Sequence, residues 1–199
     1  MNARSPSDGD VPNLRARIRQ ATDAAILEAA EHVFAEQGLD GARVNDIAAR
    51  AGVAVGTLYN HFKDREALLQ GLLELRQEEV LALLDQLLDE TGLDFAERVR
   101  QLYQRFFRYV DAHRPFYSIM HDGRAEKSVD MMRAIYARME RLAKRGIKEK
   151  ALRPSGADLY PALLMGTIRA AIIKGRLSGK HEVDVDELAR FFLEGAGTK

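Results

Sequence analysis

A chain of 199 residues with 46% apolar content is long enough to bury one core, or a small one joined to a larger one, which argues against a disordered polymer. Thirty basic and thirty acidic side chains cancel, so the overall balance points to no polyanion, membrane surface or acidic substrate. Cysteine is absent, which excludes disulfides, thiolate zinc sites, cysteine nucleophiles and thiol redox sensing.

The first twenty residues contain no apolar run of signal-peptide type, and nowhere do eighteen apolar residues follow one another. A soluble cytoplasmic protein is therefore expected. Residues 1–13, rich in Ser, Pro, Gly, Asp and Asn, predict a flexible tail. From Thr22 onward Ile26, Ala29, Ala30 and Val33 recur at helical spacing, and Gly38 supplies a stop. A second helix of about two turns is predicted over 44–51, ended by Gly52. A third short pattern sets Leu58 and Phe62 at i and i+4.

Asp64 suits the cap of a long fourth helix, whose leucines run from Leu68 to Leu88 before Thr91 and Gly92. Further helices are expected at roughly 94–111, 115–122, 126–150, 157–176 and 184–194. Asp158 is expected to cap the helix carrying Pro161, and Asp184 with Glu187 has capping-box spacing. No segment reads as a strand. The fold class is all-α, with about nine helices.

Two short helices about a glycine turn match the plan of a helix-turn-helix, though the same arrangement occurs in helical proteins that never meet DNA. The residues say more. The run from Phe34 to Asp40, followed by Val44 to Leu68 with Gly52, Gly56, the Thr57-Leu58-Tyr59 trio and the His61-Phe62 pair, resembles the TetR-family DNA-binding domain. The similarity spans residues 22–72; beyond residue 75 it rests on length and helix count.

The resemblance implies a DNA-binding domain over 14–65 and a ligand-binding and dimerisation domain over 66–199. It implies a recognition helix at 55–61, with Val55, Gly56, Thr57, Tyr59 and Asn60 facing the major groove. Chemistry agrees: Gly56 lets the backbone approach, the Thr57 and Tyr59 hydroxyls suit phosphate oxygens, and Asn60 suits paired bonds to an adenine edge. By the same resemblance Arg43, Val44 and Asn45 contact DNA from the start of the second helix, and Lys63 and Arg65 meet phosphate. His61 completes the set, although a packed or capping role fits it as well. Arg15, Arg17 and Arg19 suit either a minor-groove arm or a solvated tail. Ala42 and Ala54 stand where relatives carry capping Ser or Thr, so those caps are expected to be missing or supplied by neighbours. Residues 1–65 hold eight Lys or Arg against nine Asp or Glu, which predicts weak non-specific binding.

In the second half Tyr103, Phe106, Phe107, Phe116, Tyr117, Met120, Met132 and Tyr136 are mostly core by type, yet aromatic rings beside adaptable methionine also suit an effector pocket. Such a pocket is expected between the fourth and eighth helices. His113 and His121 lack a third ligand, so neither metal nor other cofactor is expected. Basic residues from Arg138 to Lys150 read as a solvated helix face. Ala162, Gly166 and Ala170 form a smooth stripe that, with Ile173, Leu188 and Phe192, fits the two-helix dimer interface of TetR-like proteins.

No catalytic constellation is present, so an enzyme is not expected. The expectation is a homodimeric regulator of double-stranded operator DNA, in this family most commonly a repressor released by a small apolar or aromatic effector. The alternatives are an activator of the same fold, and a non-specific DNA-binding protein.

Overall fold

The computed structural model describes residues 13–119, 129–179 and 183–196. Its helices are α1 (Leu14–Gly41), α2 (Val44–Ala51), α3 (Val55–His61), α4 (Arg65–Asp89), α5 (Phe95–Ala112), α6 (Arg114–Ile119), α7 (Val129–Lys148), α8 (Tyr160–Ser178) and α9 (Val185–Ala196). A single 3-10 turn occupies Pro154–Gly156, and no strand occurs among the described residues. The expected tail up to residue 12, and Met120, His121, Lys180 and His181, lie outside them. No helix among the described residues is long and apolar enough to cross a membrane.

The chain divides into two compact units, one ending at Glu74 and the other beginning at Leu75, a division that falls inside α4. The sequence boundary at 65/66 coincides with the start of that helix. In the first unit Ile26, Ala30, Val33 and Phe34 of α1 are buried with Ile47 and Ala48 of α2, Leu58 of α3, and Leu68 and Leu72 of α4. Burial of these side chains supplies about 1.5–3 kcal/mol for each large one, which lets two helices of seven and eight residues persist where isolated helices would melt.

α1 starts eight residues earlier than its apolar pattern predicts. Asn13 Oδ1 accepts from the Ala16 amide at 2.9 Å and caps the helix, but Leu14 through Ala21 are exposed, so no amphipathic pattern marks these two turns. Gly38, at φ 74° and ψ 164°, breaks α1 as expected, since a side chain at that φ would be strained. Neither α2 nor α3 has a side-chain cap, in agreement with Ala42 and Ala54; Arg43 and Ala54 occupy the cap positions.

The second unit is built around Val80, Leu84 and Leu87 of α4, Phe95, Val99, Leu102 and Tyr103 of α5, Met139 and Leu142 of α7, Leu164 of α8 and Phe192 of α9. α7 packs on α8, and α9 packs on α5 and α8. Asp184 caps α9 through the Glu187 amide at 2.8 Å, as its spacing predicts. Asp158 does not cap α8. That position is held by Leu159 without a side-chain bond, because Pro161 in the first turn needs no amide partner there.

The basic run from Arg138 to Lys150 is a solvated face only in part: Lys144, Lys148 and Lys150 are exposed, but the arginines are engaged. Arg138 reaches Asp85 at 2.5 Å, Arg141 reaches Asp85 and Asp89, and Arg145 donates to the Leu88 carbonyl at 3.3 Å, so these arginines tie α7 to α4.

Gly146 shows how closely this core is packed. A Cβ placed on it would lie 2.6 Å from the Phe95 ring and 2.8 Å from a Leu152 methyl. Gly146→Ala is expected to lower stability by about 1–3 kcal/mol through overpacking, read as a lower thermal midpoint; an unchanged midpoint would mean that Phe95 moves freely.

Candidate DNA-binding surface

Gly52 takes the left-handed conformation (φ 69°, ψ 27°) that ends α2, and the Val53 amide closes back on the Ala48 carbonyl at 3.0 Å. The chain thereby turns directly into α3. Leu58 anchors α3 by full burial, and the periodicity of a helix then throws the opposite residues outward. Val55, Gly56, Tyr59 and Asn60 are exposed, Tyr59 at 49%, whereas Thr57 is half-buried. No atom lies within 4 Å of where a Gly56 Cβ would stand, so that side of the helix is open.

At the start of α2, Arg43 and Asn45 are exposed and Val44 is half-buried. Lys63 stands clear at 86% side-chain exposure, with its ammonium 3.5 Å from Asp64. Phe62 packs beneath it: a Cβ on Gly71 would come within 3.0 Å of the Phe62 ring, so the glycine of α4 seats that ring.

Two of the expected residues are committed elsewhere. His61 Nδ1 lies 2.5 Å from Asp23 Oδ1, with its side chain only 13% exposed, so it joins α3 to α1. The Arg65 guanidinium donates to the Asp40 carbonyl at 3.0 Å and ties α4 to the end of α1. Sequence reasoning left Asp23 unnoticed because its partner stands 38 positions away. Arg50, paired with Glu36 at 2.7 Å and 2.8 Å, is likewise neutralised.

The aromatic set of the second unit does not converge on one cavity. Tyr103 is wholly buried, and burial pushes its phenol up to about 12, so a neutral hydroxyl meets Thr167 Oγ1 at 2.8 Å. Phe116 is buried, Phe106 packs against the core, and Met132 and Tyr136 lie on α7, with the Tyr136 hydroxyl 3.4 Å from the Asp158 carbonyl. Only Phe107 and Tyr117 line a cavity of about 660 Å³, together with Arg108, Asp111, Ile172 and Val185. That cavity lies between α5, α6, α8 and the start of α9, with no lining from α4. Beside it, the Tyr109 hydroxyl donates to Glu79 Oε2 at 2.8 Å, and Glu79 also holds Arg76 at 2.7 Å, which joins α5 to α4.

On α8, Ala162, Gly166, Ala170 and Ile173 are exposed, and the space over Gly166 is empty. Leu188 is half-buried. On α9 the outward ring is Phe191, at 63%, while Phe192, at 5%, expected at a dimer interface, instead stacks edge-on against Tyr160 in the core of the second unit. Among the described residues no cluster of three metal-ligating side chains occurs.

Residues 26–72, which carry all of α2 and α3, match the model for bacterial regulatory proteins of the tetR family. Over these residues the chain carries a DNA-binding domain of the tetR-family type. Over 88 residues it is 34% identical to the HTH-type transcriptional repressor KstR2 of Mycobacterium tuberculosis, covering 44% of each chain. Over 170 residues it is 26% identical to the nucleoid occlusion factor SlmA of Vibrio vulnificus, covering 80% of this chain and 82% of that one. Its fold matches the transcriptional regulator FadR of Bacillus subtilis, solved with stearoyl-CoA, at a TM-score of 0.69 and 20% identity, over 86% of this chain and 95% of the other.

Proposed function

We propose that this chain is a TetR-family regulator, a homodimeric repressor of a two-fold operator, released when a small apolar or aromatic molecule occupies the second unit. The observation that carries the DNA half is α3: one buried leucine fixes it, and Val55, Gly56, Tyr59 and Asn60 stand free beside an exposed lysine. Asn60 and Val55 read base edges, Tyr59, Thr57, Arg43 and Lys63 hold phosphates, and Asn45 supports them from α2. His61 and Arg65 act one step back, by fixing α3 and α4 in place.

One recognition helix spans too few bases to be selective, so specificity needs a second copy about one helical turn, roughly 34–36 Å, along the duplex. The flat strip of Ala162, Gly166 and Ala170, continued by Ile173 and Phe191, suits that pairing. The repressor KstR2 supports the sign of regulation, and the bound stearoyl-CoA of FadR supports an effector with an apolar body. The effector lies against Phe107, Tyr117 and Ile172, with Arg108 at the rim for a polar group. Its entry displaces α5, and the Tyr109–Glu79 bond passes that shift to α4, the single helix that runs from Arg65 to Asp89. Only a difference in effector affinity between the two states drives release.

Light scattering at micromolar concentration tests the two-fold arrangement; a strictly monomeric mass contradicts it. Tyr59→Phe and Lys63→Ala are each expected to weaken binding to every duplex by about 1 kcal/mol with unchanged preference among sequences. A changed preference in competition binding would contradict their assignment to phosphate.

A further inference from the structure

The arginines ahead of the α1 core are neither an extended arm nor a random fringe. They lie on two exposed helical turns whose φ and ψ remain helical up to Gly38, so helix phase fixes where each points. At roughly 100° per residue, Arg15 and Arg19 fall within about 20° of Ile26, and Arg17 falls on the opposite side. Ile26, Ala30 and Val33, on that same line, are buried at 0–2% exposure, so Arg15 and Arg19 continue the inward face of α1 past the edge of the first unit.

Asp23 lies on this side too and grips His61, the last residue of α3, at 2.5 Å; Lys63 follows two residues later. The overhanging face is therefore at the end of α3 where the chain already presents an exposed cation. No acidic residue occurs from Leu14 to Thr22, and neither Arg15 nor Arg19 has an ion-pair partner among the described residues. Arg15 and Arg19 are exposed and leave their guanidinium groups free for an anion, and with α3 in the groove the anion that reaches this end of it is the DNA backbone.

We infer that Arg15 and Arg19 form a phosphate clamp that extends the DNA footprint beyond the recognition helix, while Arg17 takes no part. This rests on α3 as the groove-facing helix. It also adds two cations to the DNA-facing side of a first unit without net positive charge, in which Glu36, Asp23 and Asp64 are already engaged with Arg50, His61 and the α4 cap.

The test is a salt series of binding isotherms for the full chain on a labelled random-sequence duplex. The proteins compared are the wild type, the Arg15→Gln/Arg19→Gln double variant, Arg17→Gln and Lys63→Ala, each with its thermal midpoint. The double variant should bind roughly tenfold or more weakly near physiological salt, and the slope of log K against log salt should fall by about 0.9 per arginine per protomer. Arg17→Gln, which removes the same charge, should change affinity less than about twofold because a charge facing away is screened within about 8 Å. An unchanged double variant, or an equal loss in Arg17→Gln, overturns the clamp. If Lys63→Ala is also silent, the assignment of α3 itself fails; if Lys63→Ala alone is weak, only the clamp fails.

Discussion

Gly56→Glu is expected to weaken operator binding about a hundredfold or more while leaving the protein at least as stable as before. The two effects separate because Gly56 is in the first turn of α3 with open space around it. Glutamate there replaces the poorest helix former after proline, a gain of about 0.5–1 kcal/mol, and an acid near a helix N-terminus adds about 0.3–1 kcal/mol. On DNA the same carboxylate faces phosphates, and like charges at an interface cost several kcal/mol, of which about 2.7 suffices for a hundredfold. Gly56→Gln, of equal size without the charge, separates bulk from repulsion. Anisotropy titration and a thermal melt on each variant check the pair of effects; retained binding by Gly56→Glu would remove Gly56 from the groove.

Arg98→Met carries the largest expected loss of stability. Arg98 is fully buried at the start of α5, and its guanidinium donates to the Leu87 carbonyl, to the Glu90 carbonyl at 2.8 Å and to the Leu93 carbonyl at 3.4 Å. These oxygens belong to the last turn of α4 and the loop after it, which no other helix amide satisfies. Desolvation, reinforced by Arg145 and opposed by Glu149 and Glu90, lowers its pKa from the ordinary value, so the site holds a buried cation whose direct partners are carbonyl dipoles. Methionine removes the desolvation cost but strands the carbonyls at about 1–3 kcal/mol each. The stranded oxygens outweigh the relief, for a net loss of about 2–4 kcal/mol, or roughly 5–15 °C in the melting midpoint. Arg98→Lys should recover part of it. A midpoint equal to wild type would show that water replaces the guanidinium.

The first unit was legible because its helices are short, closely spaced and punctuated by glycine, and because its motif is carried by consecutive residues. Gly38 and Gly52 mark real left-handed turns, and Leu58 and Phe62 mark the inner side of α3. Two features escaped. The first two turns of α1 bury nothing, so only a cap at Asn13 signals them. His61 and Arg65 read as DNA contacts, yet their partners, Asp23 and the Asp40 carbonyl, are far away in sequence.

The second unit was legible in its helix count and less so in its surfaces. Neighbouring rings on α9 are equivalent by composition, and only packing on Tyr160 places Phe192 inside and Phe191 outside. The α7 arginines looked solvated because Asp85 and Asp89 stand more than fifty positions earlier. Aromatic residue type alone did not separate core from cavity: Tyr103 and Phe116 fill space, whereas Phe107 and Tyr117 line it.

The most direct test of the account is selection of bound duplexes from a randomised library near physiological salt, followed by sequencing. An enriched palindrome whose half-sites lie about one helical turn apart is expected. Folded, dimeric protein that enriches no sequence would contradict α3 as a base-reading helix and the paired-site model built on it.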